Sequence, residues 1–289
     1  MRLRGSDKQG VTRRKKRKWI ISLVLAGAMI CGPSTTVPVQ DQVKVHFIDV
    51  GQGDATYIQL PDHNDILIDA GDGEHGDDVV RYLRAQGMDG EIELLIATHP
   101  HEDHIGGLPE VMAAFQVGQL IDFGLEFQSR CYELYRQAAE AEHCTWLADD
   151  HQVFNFGIAQ LQILTGNETW SDVNDYSVVT RLDCGEVEFL FIGDAEKEAE
   201  ASLRGDISAE ILKVGHHGSD SSTSTEFFAR ARPQVAVISV GQDNRYGHPD
   251  EKTIVRLQTM EVKIYRTDFN GNIVVTTDRG SYSSMTYKS

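Results

Sequence analysis

A four-layer α+β sandwich, two β-sheets face to face with helices outside (αββα), is the fold that this sequence predicts, and three observations predict it. Strands follow one another closely between residues 43 and 69. Strands and helices then alternate as far as residue 123. The same scheme, hairpins first and alternation afterwards, recurs from residue 153 to 266, so each half offers one mixed sheet with one helix-covered face.

Residues 43–50, 55–60 and 66–69 alternate or run apolar. They are separated by Gly51-Gln52-Gly53-Asp54 and Pro61-Asp62-His63-Asn64-Asp65, turn-forming clusters that make an antiparallel meander. Val79, Val80 and Leu83 then recur at helical spacing before a stop at Gly87. An apolar run at 94–98 is a buried strand, 105–115 a helix, 119–123 a strand and 132–142 a helix. Hairpins are expected over 153–164 and 177–193, the second turning at Cys184-Gly185. Helices over 195–203, 223–230 and 251–260 alternate with strands over 210–214, 234–240 and 262–266, and Asn270-Gly271 is expected to turn a final hairpin.

The amino end reads separately. Arg13-Arg14-Lys15-Lys16-Arg17-Lys18 precedes an apolar run of only 12 residues, 19–30, short of the roughly 20 that span a bilayer. Residues 1–31 therefore read as an export signal, with a small-x-small cleavage site at Ala26-Gly27-Ala28, or as an uncleaved amino-terminal anchor. Lipidation of Cys31 fits poorly, since Met29 and Ile30 before it are bulky; a plain basic tail is the remaining alternative. Residues 32–42, with Pro33 and Pro38, are a linker, and one folded domain covers 43–289. The expected location is secreted or anchored at the cell surface, with membrane contact through the amino-terminal segment alone.

Residues 1–30 hold nine Lys/Arg and one Asp, so their removal takes the formal charge from −17 to −25. A surface so acidic repels polyanions, and a broad basic groove for duplex DNA is not expected. Divalent cations can reverse that field locally. Cys131, Cys144 and Cys184 form no disulfide framework, because the helix between the first two holds them too far apart to bridge.

Chemistry concentrates in Thr98-His99-Pro100-His101-Glu102-Asp103-His104, where three imidazoles and a carboxylate fall within six positions directly after a buried strand. No packing requirement explains such a cluster. Side chains two apart in an extended loop point the same way, so His99 and His101 can grip one cation while Asp103 and His104, turning into the next helix, face a second. This makes the chain a candidate metallohydrolase with two divalent ions, zinc or manganese.

HxHxDH, with Asp194 in Phe191-Ile192-Gly193-Asp194 and a later His, resembles the metallo-β-lactamase superfamily. Phe47-Ile48-Asp49-Val50-Gly51-Gln52-Gly53-Asp54-Ala55, Leu67-Ile68-Asp69-Ala70-Gly71, Leu212-Lys213-Val214-Gly215-His216-His217-Gly218-Ser219 and Asn244-Arg245-Tyr246-Gly247-His248-Pro249 narrow the resemblance to the hydrolase domain of ComEC-type competence proteins, over about residues 43–278 in order. The multispan channel and OB-fold part of those proteins have no counterpart here, so DNA transport is not implied. What the resemblance implies is an exported metal-dependent nuclease or phosphodiesterase.

By the family pattern Asp194 bridges the two ions; a helix N-cap for 195–203 is the structural alternative. Neighbouring His216 and His217 should project oppositely from an extended chain, so one closes the second site: His217 is favoured as ligand, with His216 orienting water or phosphate. Many superfamily members carry a third His where this chain has Asn174-Asp175-Tyr176-Ser177, which leaves the first site ligand-poor, as ComEC-type domains also do, and makes Asp175 a candidate oxygen ligand. Asp54 and Asp69 are expected to accept from the second N–H of ligating imidazoles. Gly51 and Gly53 either let the backbone approach the site or simply form a turn. Lys213 and His248 are candidates for substrate handling, Lys213 steadying phosphoryl charge and His248 protonating the leaving alkoxide, although Lys213 could equally be a solvated strand residue.

The mechanism expected is attack on a phosphodiester by a hydroxide bridging the paired ions, with Asp103 essential to turnover. Single-stranded DNA is the favoured partner, with no obligate protein partner. A choline or teichoic acid ester of the cell envelope is the alternative substrate, and a catalytically weak module binding nucleic acid or a surface is the alternative class. β-Lactam hydrolysis finds no support in these motifs.

Overall fold

The computed structural model describes residues 42–166 and 168–288. The leader and linker expected over residues 1–41 lie outside the described residues. Two mixed sheets are flanked by helices, in the expected α+β sandwich. The first is built from β1 (Val43–Phe47), β2 (Thr56–Gln59), β3 (Ile66–Ile68), β4 (Glu91–Ile96), β5 (Gln116–Ile121), β6 (Thr145–Leu147), β14 (Asn272–Thr277) and β15 (Tyr282–Tyr287), in the order β15-β14-β1-β2-β3-β4-β5-β6. The second holds β7 (Val153–Phe156), β8 (Ala159–Ile163), β9 (Thr180–Asp183), β10 (Glu188–Phe191), β11 (Ile211–Lys213), β12 (Val235–Ile238) and β13 (Lys263–Arg266), ordered β13-β12-β11-β10-β9-β8-β7. In each, antiparallel hairpins lead into parallel strands: β3 to β6 run parallel in one sheet and β10 to β13 in the other.

Alternation along the strands fixes the layers. Phe189, Phe191, Ile211, Val235 and Val237 belong to the larger core, shared with Val43, Val45 and Phe47 of β1. Their neighbours Leu190, Leu212, Ala236 and Ile238 point the other way, onto Phe227, Phe228 and Leu257 of the helices outside. A period of two is thus read on both faces at once, which is why these strands run as continuous apolar segments. The helices are α1 (Gly76–Ala85), α2 (Glu102–Ile105), α3 (Leu108–Ala114), α4 (Arg130–Ala141), α5 (Lys197–Ser202), α6 (Thr225–Ala231), α7 (Glu251–Thr259) and α8 (Thr267–Asn270).

Two expectations need correction. The helix expected over 105–115 is two helices broken at Gly106-Gly107, where an added Cβ would lie 2.5 Å from Glu102 O and 2.3 Å from Ala70 O respectively. Asn270-Gly271 does not turn a hairpin, because β13 and β14 lie in different sheets. α8 carries the chain across the sandwich, and β14 pairs with β1 so that Ile273 and Val275 enter the core. The hairpin is β14-β15, turning where Asp278 Oδ1 accepts from the backbone of Gly280 and Ser281. Cys131, Cys144 and Cys184 are free thiols.

Candidate metal centre

The site lies beyond the carboxyl ends of β3, β4, β10, β11 and β12, where both sheets open toward the same edge of the sandwich. Each loop there delivers polar side chains that no strand interior could hold. Beyond β4 come Thr98 and His99, then His101 at the N-cap of α2, so that Glu102 and Asp103 occupy its first turn and His104 its last. Beyond β10, Gly193 turns the chain at φ +51° and Asp194 emerges buried. The N-cap of α5 is Glu196, so Asp194 does not cap that helix.

His216 and His217 depart from the extended geometry expected. Both are left-handed, at φ 48° and 50°, conformations that cost a non-glycine residue of order 1 kcal/mol or more each. Backbone bonds hold them there: His216 N donates to Gly193 O, and Ser219 N to His216 O at 2.8 Å. The rings end up 6.1 Å apart and nearly perpendicular, both facing Asp194, with His216 Nε2 at 3.7 Å and His217 Nε2 at 3.6 Å from Asp194 Oδ2. The expected choice between them therefore follows from what else each touches, not from opposed directions.

Two groups gather donor atoms at spacings that could hold a metal ion: His99, His101 and Asp194, and Asp103, His104 and His217. Asp194 lies between them, 3.7 Å from His99 Nε2 and 3.4 Å from His104 Nε2. Three ligand-type atoms, His104 Nε2, Asp194 Oδ1 and His217 Nε2, are buried and make no well-formed hydrogen bond; their nearest polar neighbours are one another and Asp103, at 3.4 Å for the His104–Asp194 pair and 3.2 Å for His217 to Asp103. Leaving such groups unsatisfied costs about 1–3 kcal/mol each, more for charged ones. A cation among them removes that cost, so the residues present fit a metal.

The supporting contacts orient these rings. Asp69, itself held at φ 57°, accepts from His104 Nδ1 at 2.8 Å and from Thr98 N and Oγ1 at 2.8 and 2.7 Å. His217 Nδ1 sits 3.0 Å from Ser239 O and 3.4 Å from Asp54 Oδ1, leaving Nε2 directed at Asp103. A third donor group, Asp54, Asp69 and His104, lies behind the first two. Gly53, at φ +148°, allows the Asp54 loop to reach the helix: a Cβ there would stand 2.3 Å from Asp103 O, which instead accepts from Asp54 N.

Charge is strongly coupled here. Burial lowers the His104 imidazole, but Asp194 and Asp69 outweigh it and hold the ring well above its ordinary range. Burial likewise opposes a charged His217, yet Asp194, Asp103 and Asp54 push it up to about 10. Burial and the neighbouring His104 take His99 well below its ordinary value. Asp194 resists the upward push of burial because His217 and His104 keep it ionised.

The family model described as Metallo-beta-lactamase superfamily matches residues 48–158. ComE operon protein 3 of Bacillus subtilis is 31% identical over 80% of this chain and 32% of its own length. Recombination protein 2 of Haemophilus influenzae is 31% identical over 80% of this chain and 28% of its own. The chain carries a metallo-beta-lactamase domain. Its homologues are ComEC-type competence proteins, and it spans about a third of the length of the curated relatives it matches. Among solved structures, the metallo-beta-lactamase fold protein YhfI of Bacillus subtilis superposes with a TM-score of 0.55, covering 82% of this chain and all of that one, at 12% identity, a likeness of fold.

Within this metallo-beta-lactamase domain the structure brings together His99, His101, Asp103, His104, Asp194, His216, His217 and His248, with Asp54 and Asp69 behind them. Lys213 is the exception. It is neither solvated nor facing substrate: it is 2% exposed, its ammonium 2.7 Å from Asp54 Oδ2 and donating to Val214 O, so it holds Asp54 from within the core. Asp175 belongs to none of these donor groups and accepts from Glu196 N. Ser177 takes the place of the third imidazole: its Oγ accepts from Asp194 N and lies 3.4 Å from His99 Nδ1. His216 Nδ1 is 3.2 Å from Glu196 Oε1, which accounts for that nitrogen and leaves Nε2 toward the site. Burial and the imidazoles of His216 and His217 lower His248 below its ordinary value.

Sequence reasoning missed Gln52, Glu102 and Tyr246, which line the cavity of about 250 Å³ over the centre. All three sit inside the quoted motifs. Gln52 and Tyr246 are not usual ligand types and Glu102 falls between the HxHxDH positions, so the motif pattern carried no signal for a role.

Proposed function

We propose that this domain is a phosphodiesterase acting on nucleic acid, single strands above all, outside the cytoplasm, with a dinuclear centre of zinc or manganese. The observation that carries the reading is the convergence of buried His104 Nε2, Asp194 Oδ1 and His217 Nε2, none in a well-formed hydrogen bond, between two donor groups. A nitrogen and carboxylate-oxygen donor set suits either metal. His99, His101 and Asp194 would hold one ion; Asp103, His104 and His217 the other, with Asp194 shared. Bound there, divalent cations supply Lewis acidity toward phosphoryl oxygens and acidify water. The chain's own residues bind and orient: Asp69 and Ser239 O accept from Nδ1 of His104 and His217, so that each ring would present Nε2 to a cation once that cation displaces its second proton, and His216 offers Nε2 to a non-bridging oxygen. His248 offers its ring to the leaving oxygen. Water adds to phosphorus, the ester P–O bond breaks, and the proton of the water ends on the departing alcohol. The names of the relatives, a competence operon protein and a recombination protein, favour a nucleic-acid ester.

A second reading has its own observation. Asp72, Glu74 and Glu102 line the outer cleft beside the site, and carboxylates there favour a cationic alcohol such as choline. The test is hydrolysis of single-stranded DNA, bis(p-nitrophenyl) phosphate and p-nitrophenyl phosphorylcholine, with and without Mn²⁺, by the wild type and Asp103→Ala. Turnover of DNA that Asp103→Ala abolishes supports the first reading. Turnover of the choline ester alone supports the second, and turnover surviving in Asp103→Ala overturns the centre.

A further inference from the structure

We infer that Tyr246 is a stacking platform for an unpaired nucleobase of the substrate, an assignment that rests on the nucleic-acid reading above and gives it a specificity residue. Tyr246 is a large aromatic side chain left 52% exposed at the mouth of a polar site. It lines both the cavity over the metal ligands and the adjoining outer cleft of about 440 Å³. A chain with its phosphodiester at the ligands would therefore pass the Tyr246 ring with its next residue.

The ring is presented, not loose. Asn244 ties its loop together: Nδ2 donates to Gly241 O and His248 O at 3.0 and 2.7 Å, and Oδ1 accepts from Tyr246 N and His248 N at 3.2 and 3.0 Å. One side chain thus fixes the backbone that carries both aromatic rings. Tyr246 lies almost parallel to His248, at 11° with centroids 5.9 Å apart, an offset arrangement that a further planar ring can extend. Arg245 Nη2 donates to the Tyr246 hydroxyl, and its guanidinium carbon is 4.8 Å from the ring centroid.

Charge says which part of a nucleotide belongs there. The outer cleft carries Asp72, Glu74, Glu102 and Asp103 against a single cation, Arg245. Phosphate would be repelled by that wall, whereas a neutral heterocycle with exocyclic N–H donors can face it while stacking on Tyr246. In a duplex both faces of a base are already covered, so the exposed half of the Tyr246 ring selects unpaired bases.

The test is binding of a single-stranded oligodeoxynucleotide carrying 2-aminopurine, and of the same strand with an abasic residue at that position, read by fluorescence and anisotropy with and without Mn²⁺. Cleavage is followed in the same samples. The wild type should bind the base-bearing strand about tenfold or more tighter than the abasic one and quench the base. Tyr246→Ala should bring that ratio close to one, and Tyr246→Trp should keep it. A wild type without preference, or a Tyr246→Ala protein weakened equally toward both strands, overturns the stacking role. Base preference without cleavage under any metal condition sinks the hydrolysis reading and leaves the stacking one standing; cleavage without preference does the reverse.

Discussion

Replacing Lys213 by Met should destabilise the fold far more than its charge alone suggests, and by an amount that depends on pH. Lys213 and Asp54 are 2% and 4% exposed, with Nζ and Oδ2 2.7 Å apart. At an effective dielectric near 20 the attraction across that distance is about 6 kcal/mol, part of which offsets the burial of both charges. Without the ammonium, Asp54 is left as a buried carboxylate with only partial compensation from His217, and it escapes by taking a proton. That protonation caps the penalty: from an ordinary carboxylate value near 4 to pH 7 it costs about 4 kcal/mol. Removing one partner of a buried pair costs about 3–5 kcal/mol in general, so a loss between about 2 and 4 kcal/mol is expected at pH 7. The sign follows from linkage. In the wild type Lys213 and His217 hold Asp54 below its ordinary value against burial, so the pair contributes stability above that value. In the variant burial, opposed now only by His217 and His104, raises Asp54, so stability is lost as pH rises, and the gap between the two proteins should widen from pH 5 to pH 7. Urea unfolding of both at several pH values, with m-values checked, measures it. A difference below about 1 kcal/mol at pH 7, or one independent of pH, refutes the placement of Lys213 as the internal counter-charge of Asp54.

Three further outcomes are expected. Gly53→Ala should cost about 2 kcal/mol or more in unfolding experiments, because it combines a positive φ with a Cβ 2.3 Å from Asp103 O, and it should lower activity by displacing Asp103; wild-type stability would contradict this. Burial and Lys44 take His46 down to about 3, so its neutral ring supports the fold above pH 6.5 and that support is lost as pH falls toward 3. Its imidazole proton resonances should not titrate between pH 7 and 5, and a midpoint near 6.5 would refute the buried neutral ring. Chelator treatment should lower the unfolding temperature, and Mn²⁺ or Zn²⁺ should restore it, since an ion bound only by the folded state contributes about 2.7 kcal/mol at a hundred times its Kd; a temperature indifferent to chelation would contradict the centre.

The layers of the fold were legible because apolar period and turn chemistry agree along nearly every strand, from the 51–54 turn to the parallel runs of β10 to β12. The ligand cluster was legible because His99, His101, Asp103 and His104 fall in one loop. What required the structure was long-range. The return of β14 to β1 depends on pairing 234 residues apart, as in Val43 with Thr277, while the local Asn-Gly signal pointed to a hairpin. The placement of His216 and His217 depends on Gly193 O, which accepts from His216 N, and on Ser239 O, which orients the His217 ring, and neither partner is revealed by a local pattern. Lys213 read as a substrate residue because an ammonium can steady phosphoryl charge, or as a solvated strand residue; only Asp54, brought in from the other sheet, shows that its side chain is interior.

The most direct measurement is the divalent metal content of the purified domain, wild type beside Asp194→Ala, by mass spectrometry of the metals and by titration of the chelated protein. Two ions per chain in the wild type, with both sites weakened together in the variant because Asp194 is shared, is the result expected. A wild type that takes up no divalent ion, or a variant that keeps the full complement, would contradict it.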